Sequence, residues 1–115
     1  MNSNTEKKLE YVEEMFRKYG AVPAETDPSE LEKMKDLGLR LSYVRDGLYY
    51  RVELDSFAEG EVITITAAEN PAYARLGLGD NIAGFRVGLP EEKIEREVRF
   101  AFGLEPYPET YPDYS

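Results

Sequence analysis

Residues Leu39–Leu54 read LRLSYVRDGLYYRVEL, in which apolar and polar side chains alternate on both sides of Asp46-Gly47. A type I′ turn needs positive φ at both central positions, which Asp tolerates and Gly adopts freely. The stretch therefore predicts a β-hairpin in which Arg45 stands opposite Leu48. One side of each strand is apolar, and its residues are Leu39, Leu41 and Tyr43 before the turn and Leu48, Tyr50, Val52 and Leu54 after it.

Three segments have the pattern of amphipathic helices that would cover this apolar face. Their predicted N-terminal residues are Thr5 as an N-cap, Asp27 as an N-cap and Pro90 at the first helical position, and the glycines that would end them are Gly20, Gly38 and Gly103. The first and second helices precede the hairpin and the third follows it. With no other large apolar surface available, we expect all three to pack on the hairpin's sheet.

Val62–Ala67 predicts a third strand, because its first five residues are β-branched. It should lie antiparallel to the strand that precedes it. Ile63 and Ile65 are expected to face the core. Thr64 and Thr66 are expected to face solvent.

The segment Glu69–Leu89 is the hardest to interpret, because it contains Asn70-Pro71 and four glycines. Long loops without secondary structure are uncommon unless they have a function. Two interpretations stay open: a functional loop, or secondary structure that the pattern hides. In the second case, residues 72–76 would form a helical turn and residues 82–87 a further strand.

These elements together predict an α+β fold. An antiparallel sheet of three to four strands surrounds the central hairpin, with two N-terminal helices and one C-terminal helix packed on one face. Its length of 115 residues fits one domain, which we assign to residues 1–104. Residues 105–115 form an acidic tail rich in Tyr and Pro, for which an extended conformation is expected.

Charge and residue inventory exclude several classes of function. The chain has 23 acidic and 14 basic residues and a net charge of −9, which disfavours direct contact with nucleic acid or anionic membranes and favours a basic partner. Solubility alone is the alternative explanation of this charge. The absence of Cys and His removes disulfides, thiol nucleophiles, ordinary zinc sites and imidazole catalysis. No metal, cofactor or enzymatic activity is expected. The N-terminus lacks a secretory pattern, which predicts a cytoplasmic protein.

Two sets of residues are candidates for binding a partner. The first consists of carboxylates in Val52–Ala74, a span without Lys or Arg: Glu53, Asp55, Glu59 and Glu61. The second lies in the tail: Tyr107, Glu109, Tyr111, Asp113 and Tyr114. Tyrosine offers a large contact area at low entropic cost, and proline lowers the cost of ordering further. A solvated acidic turn and a frayed or core-docked terminus are the ordinary alternatives.

The pattern favours a non-catalytic acidic protein-binding module. It could be an inhibitor that occupies the nucleic-acid-binding surface of a basic protein, as anti-CRISPR and toxin-immunity proteins do by analogy of charge and size. One alternative is a domain that self-associates through a sheet edge or the tail. Another is a binder of a small ligand or divalent cation at Gly77–Gly88, whose glycine spacing does not fit a dinucleotide fingerprint.

Overall fold

The computed structural model describes residues 3–24, 27–29, 32–33, 42–75 and 78–106. The elements in chain order are α1 (Ser3–Lys18), β1 (Val22–Pro23), β2 (Ser42–Arg45), β3 (Leu48–Phe57), β4 (Gly60–Ala68), α2 (Pro71–Arg75), β5 (Asp80–Arg86) and α3 (Glu91–Ala101). Within these ranges, five antiparallel strands form one sheet in the order β1-β2-β3-β4-β5. The α+β class is confirmed. The expected three to four strands were too few, because β1 is only two residues long, includes a proline and has no strand pattern of its own.

The central hairpin forms as the sequence predicts. Asp46 has a φ of 51° and Gly47 a φ of 78°, the positive values that a type I′ turn requires. Arg45 pairs with Leu48, and Tyr43 pairs with Tyr50. Leu39 and Leu41 lie outside the described residues.

The first helix begins earlier than predicted. Thr5 lies inside α1, which starts at Ser3, so Thr5 is not its N-cap. The Thr5 hydroxyl instead donates a hydrogen bond to the carboxylate of Glu61, at 2.8 Å. The predicted end is correct, because the Ala21 N–H donates to the Phe16 carbonyl at 2.9 Å and the Gly20 N–H to the Arg17 carbonyl at 3.2 Å.

The other helix starts show local capping. The Ser29 N–H donates to Asp27 Oδ1 at 2.9 Å, as expected of an N-cap, and Pro28, Ser29, Glu32 and Lys33 are helical. The remainder of this predicted helix, to Gly38, lies outside the described residues. Pro90 is the N-cap of α3 and not its first helical residue.

The core lies between the sheet and the two longer helices. The aromatic rings at its centre are close together: the centroid of Phe102 is 5.1 Å from that of Phe16 and 4.7 Å from that of Tyr50. The buried residues around them include Leu9, Val12, Tyr43, Val52, Ile63, Ile65, Phe85, Ile94 and Val98. Strand alternation therefore directs Ile63 and Ile65 into the core as predicted.

The opposite face of the sheet is also partly covered, which corrects two expectations. Thr64 is only 8% exposed and Thr66 2%, although both were expected to face solvent. The short helix α2 contacts this face, where Arg51 Nη1 donates to the Ala74 carbonyl at 3.2 Å. The described helices thus do not all pack on one face. β-Branched threonine suits either a buried or an exposed strand position, so the sequence pattern could not distinguish the two.

Secondary structure accounts for most of Glu69–Leu89. This span contains α2 and β5, which confirms the interpretation that it hides regular elements. A register shift explains why the strand pattern was weak. Ala83 pairs with Ile65 but Asn81 pairs with Thr66, so Ile82 is the extra residue of a β-bulge.

Candidate functional site

The β3–β4 hairpin projects an acidic and aromatic surface away from the two longer helices. Val52 is buried in the core and Leu54 packs against it, so strand alternation places Glu53, Asp55 and Phe57 on the opposite face. Phe57 pairs with Gly60, and the two-residue turn between them contains Glu59. We call Glu53, Asp55, Phe57 and Glu59 the hairpin surface.

Phe57 is the residue of this surface that sequence reasoning missed. Its side chain is 59% exposed at the last position of β3. A signal was present, because Phe57 occupies a position that alternation assigns to the polar side of the strand. An exposed aromatic ring with polar neighbours is the kind of group that anchors protein interfaces.

Near the hairpin carboxylates, Arg51 lies two residues before Glu53 on the same face of β3, and its Nη1 donates to the Ala74 carbonyl. Asp55 Oδ2 accepts a hydrogen bond from Thr64 Oγ1 at 3.0 Å, which orients that carboxylate along the strand. In the part of the chain that the structure describes, Glu53, Asp55 and Glu59 form no ion pair with Lys or Arg. Arg86 is on the same sheet face as Asp55, two strand spacings away, or about 10 Å between backbones. As far as the described residues go, the carboxylates of the hairpin surface are therefore available to solvent or a partner.

Glu61 does not belong with the other three predicted carboxylates. It pairs with Ser56 on the side of the sheet that faces α1, where its carboxylate accepts the hydrogen bond from Thr5. Thr5 itself is buried. The structure therefore separates Glu61 from the hairpin surface and gives it a contact that joins helix and sheet.

Several basic residues pair with carboxylates where α1 ends beside α3. Lys18 Nζ lies 2.8 Å from Glu95 Oε1, and Arg99 Nη1 lies 3.5 Å from the same oxygen. Hydrogen bonds from Lys18 and Tyr19 lower the pKa of Glu95 below its ordinary value. Among the described residues, carboxylates are thus paired with cations at this end of the molecule, whereas those of the hairpin surface are not.

Glu105, which follows α3, forms ion pairs with two arginines of that helix. Glu105, the first residue of the predicted tail, lies 3.4 Å from Arg99 Nε and 3.6 Å from Arg96 Nε. The remaining predicted tail contacts lie outside the described residues: Tyr107, Glu109, Tyr111, Asp113 and Tyr114.

The glycine-rich segment proposed as a ligand loop is mostly strand. Gly84 lies within β5, whereas Gly79 precedes it and lines a surface pocket of about 470 Å³. Gly77 lies outside the described residues. Across the described ranges, no three carboxylates are grouped in a way that could hold a metal ion.

Searches of protein families, curated proteins and solved structures found no match to this chain. None of the helices in the described ranges is both long and apolar enough to cross a membrane. Function must therefore be inferred from the chain's own geometry and charge.

Proposed function

We propose that this protein is a non-catalytic, acidic protein-binding module whose hairpin surface contacts a basic surface of a partner protein. The observation that carries the proposal is the position of Phe57, exposed among Glu53, Asp55 and Glu59, none of which forms an ion pair within the described part of the chain. An aromatic ring supplies the desolvated contact, and the surrounding carboxylates supply attraction and orientation.

The scaffold supports this function because the two strands of the hairpin pair along nearly their whole length. Backbone register continues from Tyr49 opposite Ala68 to Phe57 opposite Gly60, at the turn. A preorganised surface loses less conformational entropy on binding than a flexible loop does. The net charge of −9 would steer a basic partner toward the protein before contact is made.

The partner class follows from charge. Extended basic surfaces on proteins are commonly those that bind nucleic acid, so an acidic module that covers one would act as an inhibitor. Anti-CRISPR and toxin-immunity proteins provide the analogy, which is one of charge and size. We place the encounter in the cytoplasm. The composition of the tail makes it the candidate for a second contact with the partner.

A capture experiment with matched variants tests the proposal. The hairpin triple variant Glu53→Gln, Asp55→Asn, Glu59→Gln removes three negative charges while keeping side-chain size. The control triple variant Glu10→Gln, Glu14→Gln, Glu91→Gln removes three exposed charges from the helices. Tagged forms of each, together with Phe57→Ala, are incubated with lysate of the native host. Retained proteins are then quantified by mass spectrometry.

We expect a basic protein that the native chain and the control triple retain equally and that the hairpin triple and Phe57→Ala lose. Its affinity, remeasured with purified protein, should fall steeply between about 0.05 and 0.5 M salt because screening weakens exposed charge contacts. Equal retention by both triples, or an affinity that does not depend on salt, would exclude the proposal.

Self-association is the competing function. The described edge strand β5 carries the bulge at Ile82, which interrupts the regular backbone ladder and disfavours addition of a strand from a second copy. Light scattering coupled to size exclusion distinguishes the two functions. A stable homo-oligomer that forms equally well with the hairpin triple would favour self-association.

A further inference from the structure

A concave surface lies at the other end of the sheet from the hairpin surface. The pocket of about 470 Å³ includes Leu48, the first residue of β3, whereas Phe57 is the last residue of that strand. An extended strand rises about 3.3 Å per residue, so Leu48 and Phe57, at the two ends of β3, are about 30 Å apart. The pocket is therefore distinct from the hairpin surface.

Hydrogen bonds within the segment that connects β4 to β5 position the walls of the pocket. The Tyr73 N–H donates to Asn70 Oδ1, and the Leu78 N–H donates to the Tyr73 carbonyl, each at 2.9 Å. Gly79 lies so close to β4 that an added Cβ would be 2.5 Å from the Ala67 carbonyl oxygen. Asp80 then pairs with Ala67 at the start of β5. The pocket is consequently built on paired strands and a capped helical turn.

The lining combines apolar surface with negative charge. Tyr73 is 54% exposed and Leu78 64% exposed, and Leu48 adds a third apolar wall. Glu69 and Asp80 contribute two exposed carboxylates that form no ion pair with the Lys and Arg residues of the described ranges. An open pocket of this composition is complementary to a cation carried on an apolar stem.

We propose that this pocket binds an arginine side chain presented by a polypeptide partner. The guanidinium would lie over the Tyr73 ring and between the Glu69 and Asp80 carboxylates, and the methylene stem would contact Leu48 and Leu78. Arginine fits better than lysine, since its planar group stacks on aromatic rings, pairs with carboxylates through two hydrogen bonds and is more weakly hydrated. This inference rests on the proposed function in that it assigns the same basic class of partner a second point of contact.

Peptide titration followed by NMR tests the pocket independently of any natural partner. The probe is the acetylated and amidated peptide Gly-Gly-Arg-Gly-Gly, compared with peptides in which citrulline or lysine replaces arginine. Citrulline has nearly the same shape without the charge. We expect the arginine peptide to shift the amide signals of residues 69, 70, 72, 73 and 78–80, with roughly tenfold weaker binding of the citrulline peptide because its charge-assisted hydrogen bonds are lost.

Two double variants and one single variant complete the test. Glu69→Gln with Asp80→Asn should weaken binding of the arginine peptide roughly tenfold, as should Tyr73→Ala. Glu91→Gln with Glu92→Gln removes the same charge from exposed positions of α3 and should leave the affinity unchanged. The amide spectrum of each variant reports whether it is folded.

Equal binding of the arginine and citrulline peptides would overturn the inference. So would an equal loss of affinity in both double variants, or signal changes confined to residues outside the pocket. If those changes lay at the hairpin surface, the pocket inference would fail while the proposed function stood. If instead the pocket bound the arginine peptide but the hairpin triple retained every partner, the proposed function would fail alone.

Discussion

Arg45 Nε donates a hydrogen bond to the backbone carbonyl of Tyr19, at 2.9 Å, and so joins the central hairpin to the end of α1. The same guanidinium donates from Nη1 to the Phe102 carbonyl at 3.3 Å and lies 5.1 Å from the centroid of the Phe102 ring. Tyr19 and Phe102 directly follow α1 and α3, where carbonyl groups lack helical partners and the helix dipole is negative. One cation thus holds two helix ends against the sheet.

Replacement of Arg45 should destabilise the fold. Arg45→Met keeps the apolar stem but removes the charge, both hydrogen bonds to the helix ends and the exposed contact with Asp46, so we expect a loss of about 2 kcal/mol in the free energy of unfolding. Urea denaturation followed by circular dichroism measures it. Arg86→Met, at an exposed position of β5, is the control and should change the stability little. Similar losses in both variants would contradict a structural role for Arg45.

A larger residue at position 79 should destabilise the fold, because Gly79 lies very close to the backbone of β4. Gly79→Ala would place a methyl group 2.5 Å from the Ala67 carbonyl oxygen, so the segment must move or the strands separate. We expect a loss of about 1–3 kcal/mol, the usual range for overpacking. Gly84→Ala is the matched control, since its Cβ would have no neighbour nearer than 3.9 Å. A control as damaging as the test variant would show that strand propensity, and not close approach, sets the cost.

The contact between Thr5 and Glu61 should stabilise the protein and not contribute to partner binding. Thr5→Val removes the hydroxyl that donates to Glu61 at 2.8 Å and should lower the free energy of unfolding by about 1 kcal/mol. Thr5→Ser retains the donor and should restore most of that loss. In the capture experiment, Thr5→Val should still retain the partner. If a folded Thr5→Val protein failed to retain the partner, the conclusion that Glu61 has no part in binding would be wrong.

The free energy of unfolding should decrease at low pH, in part because Glu95 becomes protonated. Hydrogen bonds from Lys18 and Tyr19 lower the pKa of Glu95 below its ordinary value of 4.5, so the unfolded chain takes up this proton first as the pH falls. The stabilisation is therefore present above pH 4.5 and is lost as the pH falls through the lower folded pKa. Urea denaturation should show the native protein more stable than Glu95→Gln at neutral pH, with a gap that narrows in acid.

Glu92→Gln is the control for this pH dependence, because Glu92 is exposed on the same helix. The stability difference between the native protein and Glu92→Gln should change little over the same pH range. A gap between native protein and Glu95→Gln that stays constant from neutral pH to pH 3 would rule out the contact with Lys18 as a source of acid sensitivity.

Local sequence was sufficient to predict the elements whose signals lie within a few residues. The Asp46-Gly47 turn, the cap at Asp27 and the helix end at Gly20 each depend on backbone conformations that neighbouring residue types determine. Alternation along β3 likewise predicted which side chains enter the core. The acidic side chains of the hairpin surface were selected as candidates because their span lacks Lys and Arg, and Phe57 among them was overlooked.

Residue types and their local order were enough to establish the central hairpin, the α+β class and the excess of acidic charge. Packing between distant elements was needed to show that β1 joins the sheet, that Thr64 and Thr66 are buried, and that Glu61 turns away from Glu59 toward α1. These outcomes depend on contacts between residues distant in the chain. The buried or exposed state of a strand face is set by what packs on it, and no residue type in the strand encodes that neighbour.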